Sequence, residues 1–276
     1  YYYLPKQIDY GISLFHYSNL FFVGWYEYIR DRNYGFAFSM SRPFNKYERL
    51  NLGVVGLGID RDYGAIDPYG FTGEYMHDFG NLFKKRIVQA QIGYNTDTVV
   101  WGMTGPVNGG RSNYSFTWCP KVSDKYGLDF YTFKADWRRY YKLNKDLTLA
   151  LRVSGGFSGG EQPQHFLLGG MRGWMNYRYS KIPSNYFQNS LYFFSTLETP
   201  LRGSLYYEMV GTRFLLTNIE LRFPLVRYLI LGWPLPIGFQ NIRSAVFLDM
   251  GSAWSHDKSW KPFTGAEMGS PVLQDM

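Results

Sequence analysis

Cysteine is nearly absent. A single Cys119 excludes an internal disulfide and any cysteine-built zinc site. It closes an apolar/polar alternation and reads as a small apolar residue on a strand, not as a nucleophile. Long apolar runs are absent too: nothing reaches the roughly 18–20 unbroken residues of a spanning helix. The longest run, around Tyr228–Trp233, is short and sits among prolines. No segment carries convincing helix caps. There is no Gly-x-Ser-x-Gly elbow, and Gly155-Gly156-Phe157-Ser158-Gly159-Gly160 lacks the Lys-Ser/Thr of a phosphate loop. His16, His77, His165 and His256 show no ligand spacing. Asp60, Asp62 and Asp67 could form a calcium loop, although a solvated loop is the simpler reading. These absences leave no catalytic residue, cofactor or metal to expect, and the chain does not read as an enzyme.

Positive charge is present but unclustered. The 29 Lys and Arg against 22 Asp and Glu give a net charge of +7. They are spread along the chain without a recognition helix or an aromatic RNA-binding motif, so no nucleic-acid partner is expected. The chain opens Tyr1-Tyr2-Tyr3-Leu4-Pro5 without a signal-peptide pattern, which reads as a processed or truncated end.

Aromatics are what the sequence has in excess. Its 25 Tyr, 22 Phe and 8 Trp make up 20% of the residues, while mean hydropathy stays negative. Amphipathic rings concentrate at membrane interfaces, and β-barrels carry two girdles of them. Thirty glycines suit tight turns and a curved sheet.

The period is two almost throughout. Leu147, Leu149, Leu151 and Val153 alternate with Thr148, Ala150, Arg152 and Ser154, and Tyr131, Phe133, Ala135 and Trp137 with Thr132, Lys134, Asp136 and Arg138. Each run reads as a strand with one apolar and one polar face. Ten strands are predicted, near Ile8–Tyr17, Leu20–Ile29, Tyr34–Arg42, Glu48–Asp60, Arg86–Asn95, Arg111–Pro120, Leu128–Leu143, Leu147–Ser158, Thr212–Leu225 and Arg243–Trp254. Pro43–Tyr47 and Asn144–Asp146 look like turns on one rim. Arg61–Lys85, Gly159–Gly211 and Val226–Ile242 look like long loops on the other. Alternation by itself also fits a soluble sandwich. Charges of both signs at mid-strand, with Tyr and Trp near strand ends, favour a side-chain-filled lumen inside a lipid-facing band. Residues 1–276 read as one all-β domain.

Two carboxylates and an arginine stand out. Asn218, Glu220 and Arg222 share the polar parity of one strand, and Asp249 has the inward parity of the next, so both acids face one interior. Buried carboxylates need a cation. Arg172 is the candidate, in a loop whose Gly169, Gly170 and Gly173 permit tight folding.

Met171-Arg172-Gly173-Trp174, then Asn218–Pro224, then Phe247–Trp254, resemble in order the barrel domain of the BamA/TamA-type outer-membrane assembly proteins. In that family a long loop folds into the barrel, and the Arg of its Val-Arg-Gly-Phe/Tyr tip bonds acids on the two following strands. The resemblance puts Arg172, Gly173 and Trp174 at the tip and Glu220 and Asp249 on the acids, with Met171 and Trp174 departing from the usual residues. Phe166–Gly170, Tyr140-Tyr141 and Trp101–Gly109 look like members whose barrel follows a TolB-like propeller.

The resemblance implies part of a sixteen-strand transmembrane antiparallel β-barrel with an inward-folded loop at about 159–211, in the outer membrane of a Gram-negative bacterium. The function implied is protein insertion or translocation. Its partners would be outer-membrane lipids, client outer-membrane or surface proteins and accessory lipoproteins. A passive channel and a structural scaffold barrel are the alternatives.

Overall fold

A computed structural model describes residues 2–3, 8–22, 27–66, 76–103, 105–173, 195–232, 234 and 236–255. The chain is built from antiparallel strands: β1 Tyr2–Tyr3, β2 Asp9–Phe22, β3 Glu27–Pro43, β4 Glu48–Ile66, β5 Met76–Asp97, β6 Val100–Gly102, β7 Gly105–Cys119, β8 Phe130–Lys142, β9 Thr148–Gly159, β13 Arg213–Leu231 and β14 Ile237–Trp254. They form one sheet in the order β1-β2-β3-β4-β5-β7-β8-β9-β13-β14, with β6 as a short hairpin on β7. Between β9 and β13 lie β10 Phe166–Leu168, β11 Thr196–Glu198 and β12 Met209–Gly211, a separate three-stranded sheet in the order β11-β10-β12. Among the described residues β14 pairs only with β13 in the large sheet, and β1 only with β2.

The two faces obey opposite rules. Ile12, Leu14, Phe36, Phe38, Leu52, Val54, Ile92, Phe116, Trp118, Val153 and Leu215 share one face of the sheet by register, and all are exposed. Exposure of Leu14 reaches 83%. A sandwich would cover such a face, whereas lipid needs it bare. The opposite face carries Gln91, Asn113, Lys134, Asp136, Arg138, Arg152, Asn218 and Glu220, which is a lumen. Where strands adjoin, their ladders pair the backbone, as hydrocarbon demands.

The strands run longer than the sequence pattern suggests. Three strands are expected over Ile8–Arg42, but β2 and β3 cover that stretch as two. The polar run Arg30-Asp31-Arg32-Asn33 interrupts the apolar alternation yet stays in the ladder, with Asp31 opposite Arg61. On the inner face Arg61 meets Asp31 in a bidentate pair, Nε–Oδ1 2.6 Å and Nη2–Oδ2 2.6 Å, with both side chains under 10% exposed. Polar residues that look like a loop are therefore strand interior. The supposed Arg61–Lys85 loop shrinks likewise, because β4 continues to Ile66 and β5 begins at Met76. Val226–Ile242 is also mostly strand: β13 runs to Leu231, and the hairpin to β14 falls on the rim of the short turns. Pro224, which suggests a break, is absorbed by a register shift between Pro224 and Val226.

Glycine sets the closest backbone approach between β3 and β4. A Cβ on Gly35 would lie 2.0 Å from the Gly56 carbonyl oxygen, whereas one on Gly53 meets only the Phe38 oxygen at 3.8 Å. Gly35→Ala should cost about 1–3 kcal/mol and lower the temperature at which the barrel loses its heat-modifiable migration on SDS gels. Gly53→Ala, in the same sheet, should leave that temperature unchanged.

Candidate functional site

The inserted segment is anchored before it does any chemistry. Phe166, Leu168 and Leu201 pack on Phe214 and Leu216 of the lumenal face of β13, all at most 2% exposed, with Met209 and Ala253 at the edge. Gly170 bridges Leu201, whose N–H donates to the Gly170 carbonyl at 3.0 Å. Gly169 and Gly170 have φ of 134° and 78°. A Cβ at Gly169 would strike the Leu205 carbonyl oxygen at 2.2 Å, so the close pass needs glycine. The turn after Leu201 is tied by Ser204 Oγ, which donates to the Leu201 carbonyl at 2.7 Å and accepts from the Gly170 N–H at 3.1 Å.

This anchoring delivers Arg202 to the two carboxylates. Its Nε and Nη2 donate to Asp249 Oδ2 and Oδ1 at 2.6 and 2.7 Å, and its backbone N–H to Oδ2 at 3.0 Å. Nη2 also lies 2.7 Å from Glu220 Oε1. The guanidinium stacks 3.7 Å over the Phe247 ring. Asn218 donates to Asp249 Oδ1 at 2.8 Å and to the Pro200 carbonyl at 2.9 Å. Arg222 closes the far side, with Nη2 2.6 Å from Glu220 Oε2. Hydrogen bonding to Asp249 raises the Arg202 pKa against the desolvation that opposes it, with the charge of Glu220 adding to the rise.

The loop is held at a second point. Arg152 donates to the Thr199 carbonyl at 2.6 Å while pairing with Asp136, and Lys134 pairs with Glu198 of β11. A cavity of about 260 Å³ remains beside them, lined by Arg138, Arg152, Glu220 and Arg222 among others.

Of the residues expected to act together, Glu220 and Asp249 meet as their strand parity requires: Asp249 is opposite Asn218 and Glu220 opposite Phe247 in the β13–β14 register. Arg172, the cation expected on them, lies in an exposed turn with Gly173 and forms no ion pair with a described residue. Trp174 lies outside the described residues. The guanidinium on the acids belongs to Arg202, which sequence reasoning missed. The chain carries two apolar-Arg-Gly triplets, Met171-Arg172-Gly173 and Leu201-Arg202-Gly203, and nothing local separates them. They leave the same Gly170–Leu201 bridge. Asp60 and Asp62, weighed as calcium ligands, stand on β4 and pair with Arg86 and with Arg30 and Arg32. Asp67 and His256 lie outside the described residues.

An antiparallel sheet with a bare apolar face, a polar face opposite it and a segment docked on that polar face is the architecture of an outer-membrane β-barrel. The Omp85 superfamily domain matches residues 4–272, and the chain belongs to that superfamily. Its members are non-enzymatic outer-membrane proteins, which places this chain in the bacterial outer membrane. A crystal structure of BamA from Haemophilus ducreyi lacking POTRA domains 1–3 is similar in fold, with a TM-score of 0.59 at 13% identity. The alignment covers 93% of this chain and 48% of that one, so the chain spans about half its length. No curated protein matches the sequence.

Arg202→Ala strands Asp249, while Glu220 keeps Arg222, and should weaken loop docking by about 3–5 kcal/mol, read as faster proteolysis within residues 159–211 of the folded barrel. Arg202→Lys keeps the charge but loses the fork and should fall between. Arg172→Ala should change the cleavage rate by less than the equivalent of about 0.5 kcal/mol.

Proposed function

We propose that the chain is the barrel portion of a protein that inserts other proteins into the outer membrane or moves them across it, with residues 1–276 acting as one β-barrel unit. The observation that carries this reading is the seating of the inserted segment by Arg202 on Glu220 and Asp249. A passive pore gains only a constriction from a loop held in its lumen by a bidentate ion pair, a backbone amide and an apolar anchor, and does not need one fixed arrangement. A machine that must hold one lumenal arrangement while its wall works on a client does. The ion pair positions the loop, and no bond is made or broken.

Its partners on this reading are unfolded outer-membrane or surface proteins, the surrounding lipids and accessory lipoproteins. Among the described loop residues, the exposed Arg172-Gly173 turn is available to them.

The test is reconstitution of the full-length protein in liposomes with a urea-unfolded barrel client. Insertion should be faster than in empty liposomes and should drop about ten-fold or more in Arg202→Ala and Asp249→Asn, the scale of a lost charge-assisted contact. Steady ion conductance with no acceleration of insertion would favour a passive channel instead. Neither activity, with a fixed partner co-purifying, would favour a scaffold.

A further inference from the structure

The outward faces of β3, β4 and β5 change character at one level. On β3 the outward residues between Arg42 and Arg32 are Met40, Phe38, Phe36 and Tyr34. On β5 those between Thr96 and Arg86 are Tyr94, Ile92, Ala90 and Val88. On β4, Leu50, Leu52 and Val54 lead to Gly56 and Gly58, over which the rings of Phe36 and Tyr34 lie, and then to Asp60. Ten residues at about 3.3 Å each, tilted about 40°, rise about 25 Å, the height of a barrel's apolar band. The charges begin where hydrocarbon ends, on the rim of the long connections, which in such barrels is the cell exterior.

The charged patch is ordered in rows. Arg32, Asp60 and Lys84 are opposite one another across the three strands, with Arg30 and Asp62 above them and Tyr34, Gly58 and Arg86 below. Nη2 of Arg30 and of Arg32 lie 3.1 and 3.0 Å from Asp62 Oδ2. Arg86 Nη1 is 2.9 Å from Asp60 Oδ1, and its guanidinium lies 5.0 Å over the Tyr34 ring. The acids sit low, with Asp62 3% and Asp60 15% exposed, while the Arg32 and Arg86 side chains are 44% and 40% exposed. Lys84 is exposed as well. Among the described side chains, four cations face outward here against two carboxylates, which pair Arg30, Arg32 and Arg86 from beneath. Nothing in the strand pairing requires this excess, and lipid-facing barrel surfaces otherwise exclude cations.

We propose that Arg32, Lys84 and Arg86 bind the phosphate groups of a phosphorylated glycolipid of the outer leaflet. Guanidinium forks and an ammonium recognise phosphate oxygens. The height of the patch puts those groups at the phosphate level of a lipid whose chains lie on Phe36, Phe38 and Val54. Tyr34, whose hydroxyl lies 3.5 Å from Asp60 Oδ2, fills the boundary between chains and headgroup.

Native mass spectrometry of the full-length protein in detergent micelles, titrated with bisphosphorylated lipid A, tests this. Binding should weaken about ten- to thirty-fold in Arg32→Gln/Lys84→Gln, the effect of two interfacial cations. It should stay unchanged in Arg42→Gln/Lys46→Gln at the opposite rim. Asp60→Asn removes a competing anion and should tighten binding, which keeps the test decisive if the double variant fails to show heat-modifiable folding. Equal affinity for dephosphorylated lipid A, displacement by inorganic phosphate at matched concentration, or no loss in the double variant would each overturn the assignment.

Discussion

Asp249, with a side chain 2% exposed, and Glu220, at 16%, face the same lumen from neighbouring strands. Buried carboxylates without a cation close by are costly. Among the described strand residues only Arg222 reaches either acid, pairing with Glu220 and leaving Asp249 to another donor. That donor comes from the chain between β9 and β13, and much of the lumen follows from the need to bring it in. The segment must enter the barrel, so it forms its own small sheet of β10, β11 and β12 to pair backbone groups that the large sheet cannot serve. It must arrive at a fixed height, so Leu201 docks between Phe166, Phe214 and Leu216 one residue before Arg202. Asn218 then ties Pro200 and Asp249 together, making the strand and the loop parts of one arrangement.

The outer surface inverts the lumen's chemistry on the same strands. Each residue step swaps hydrocarbon for a polar interior, so the sheet can carry mid-strand charges without exposing them to lipid. Where outward positions do become charged, on β3 to β5, the change falls on neighbouring strands at paired rows. A boundary shared by three strands reflects an external plane, because strand propensity alone would scatter such positions.

Period-two alternation made the faces legible from sequence, and with them the inward aim of Glu220 and Asp249. Strand ends were less legible. Arg30-Asp31-Arg32-Asn33 looks like a turn locally and becomes strand interior only because Arg61 and Asp62 lie opposite. The lumenal cation was illegible for the same reason. Met171-Arg172-Gly173 and Leu201-Arg202-Gly203 carry one local code. What separates them is that Leu201 fits against Phe214 and Leu216, a contact between distant parts of the chain that no spacing rule encodes. Gly169 and Gly170 were readable as a tight pass, but not as the clasp of a second arginine 32 residues beyond Gly170.

The division of labour between anchor and ion pair follows from magnitudes. A buried ion pair is about break-even against an apolar replacement of similar shape, because desolvation consumes most of the Coulombic gain. Burying a Leu or Phe side chain contributes about 1.5–3 kcal/mol, and Phe166, Leu168 and Leu201 are all within 1% of complete burial. Affinity of the loop for the lumen therefore comes chiefly from the apolar cluster, and Arg202 supplies register. Apolar packing tolerates small sliding, whereas a guanidinium bonded to Asp249 through two nitrogens and its own backbone amide, and to Glu220 besides, tolerates little. Removing the acids' partner costs far more than the pair contributes in net stability, since it leaves charge stranded. The lumen thus penalises every loop position but one, and the segment between β9 and β13 has a single seat.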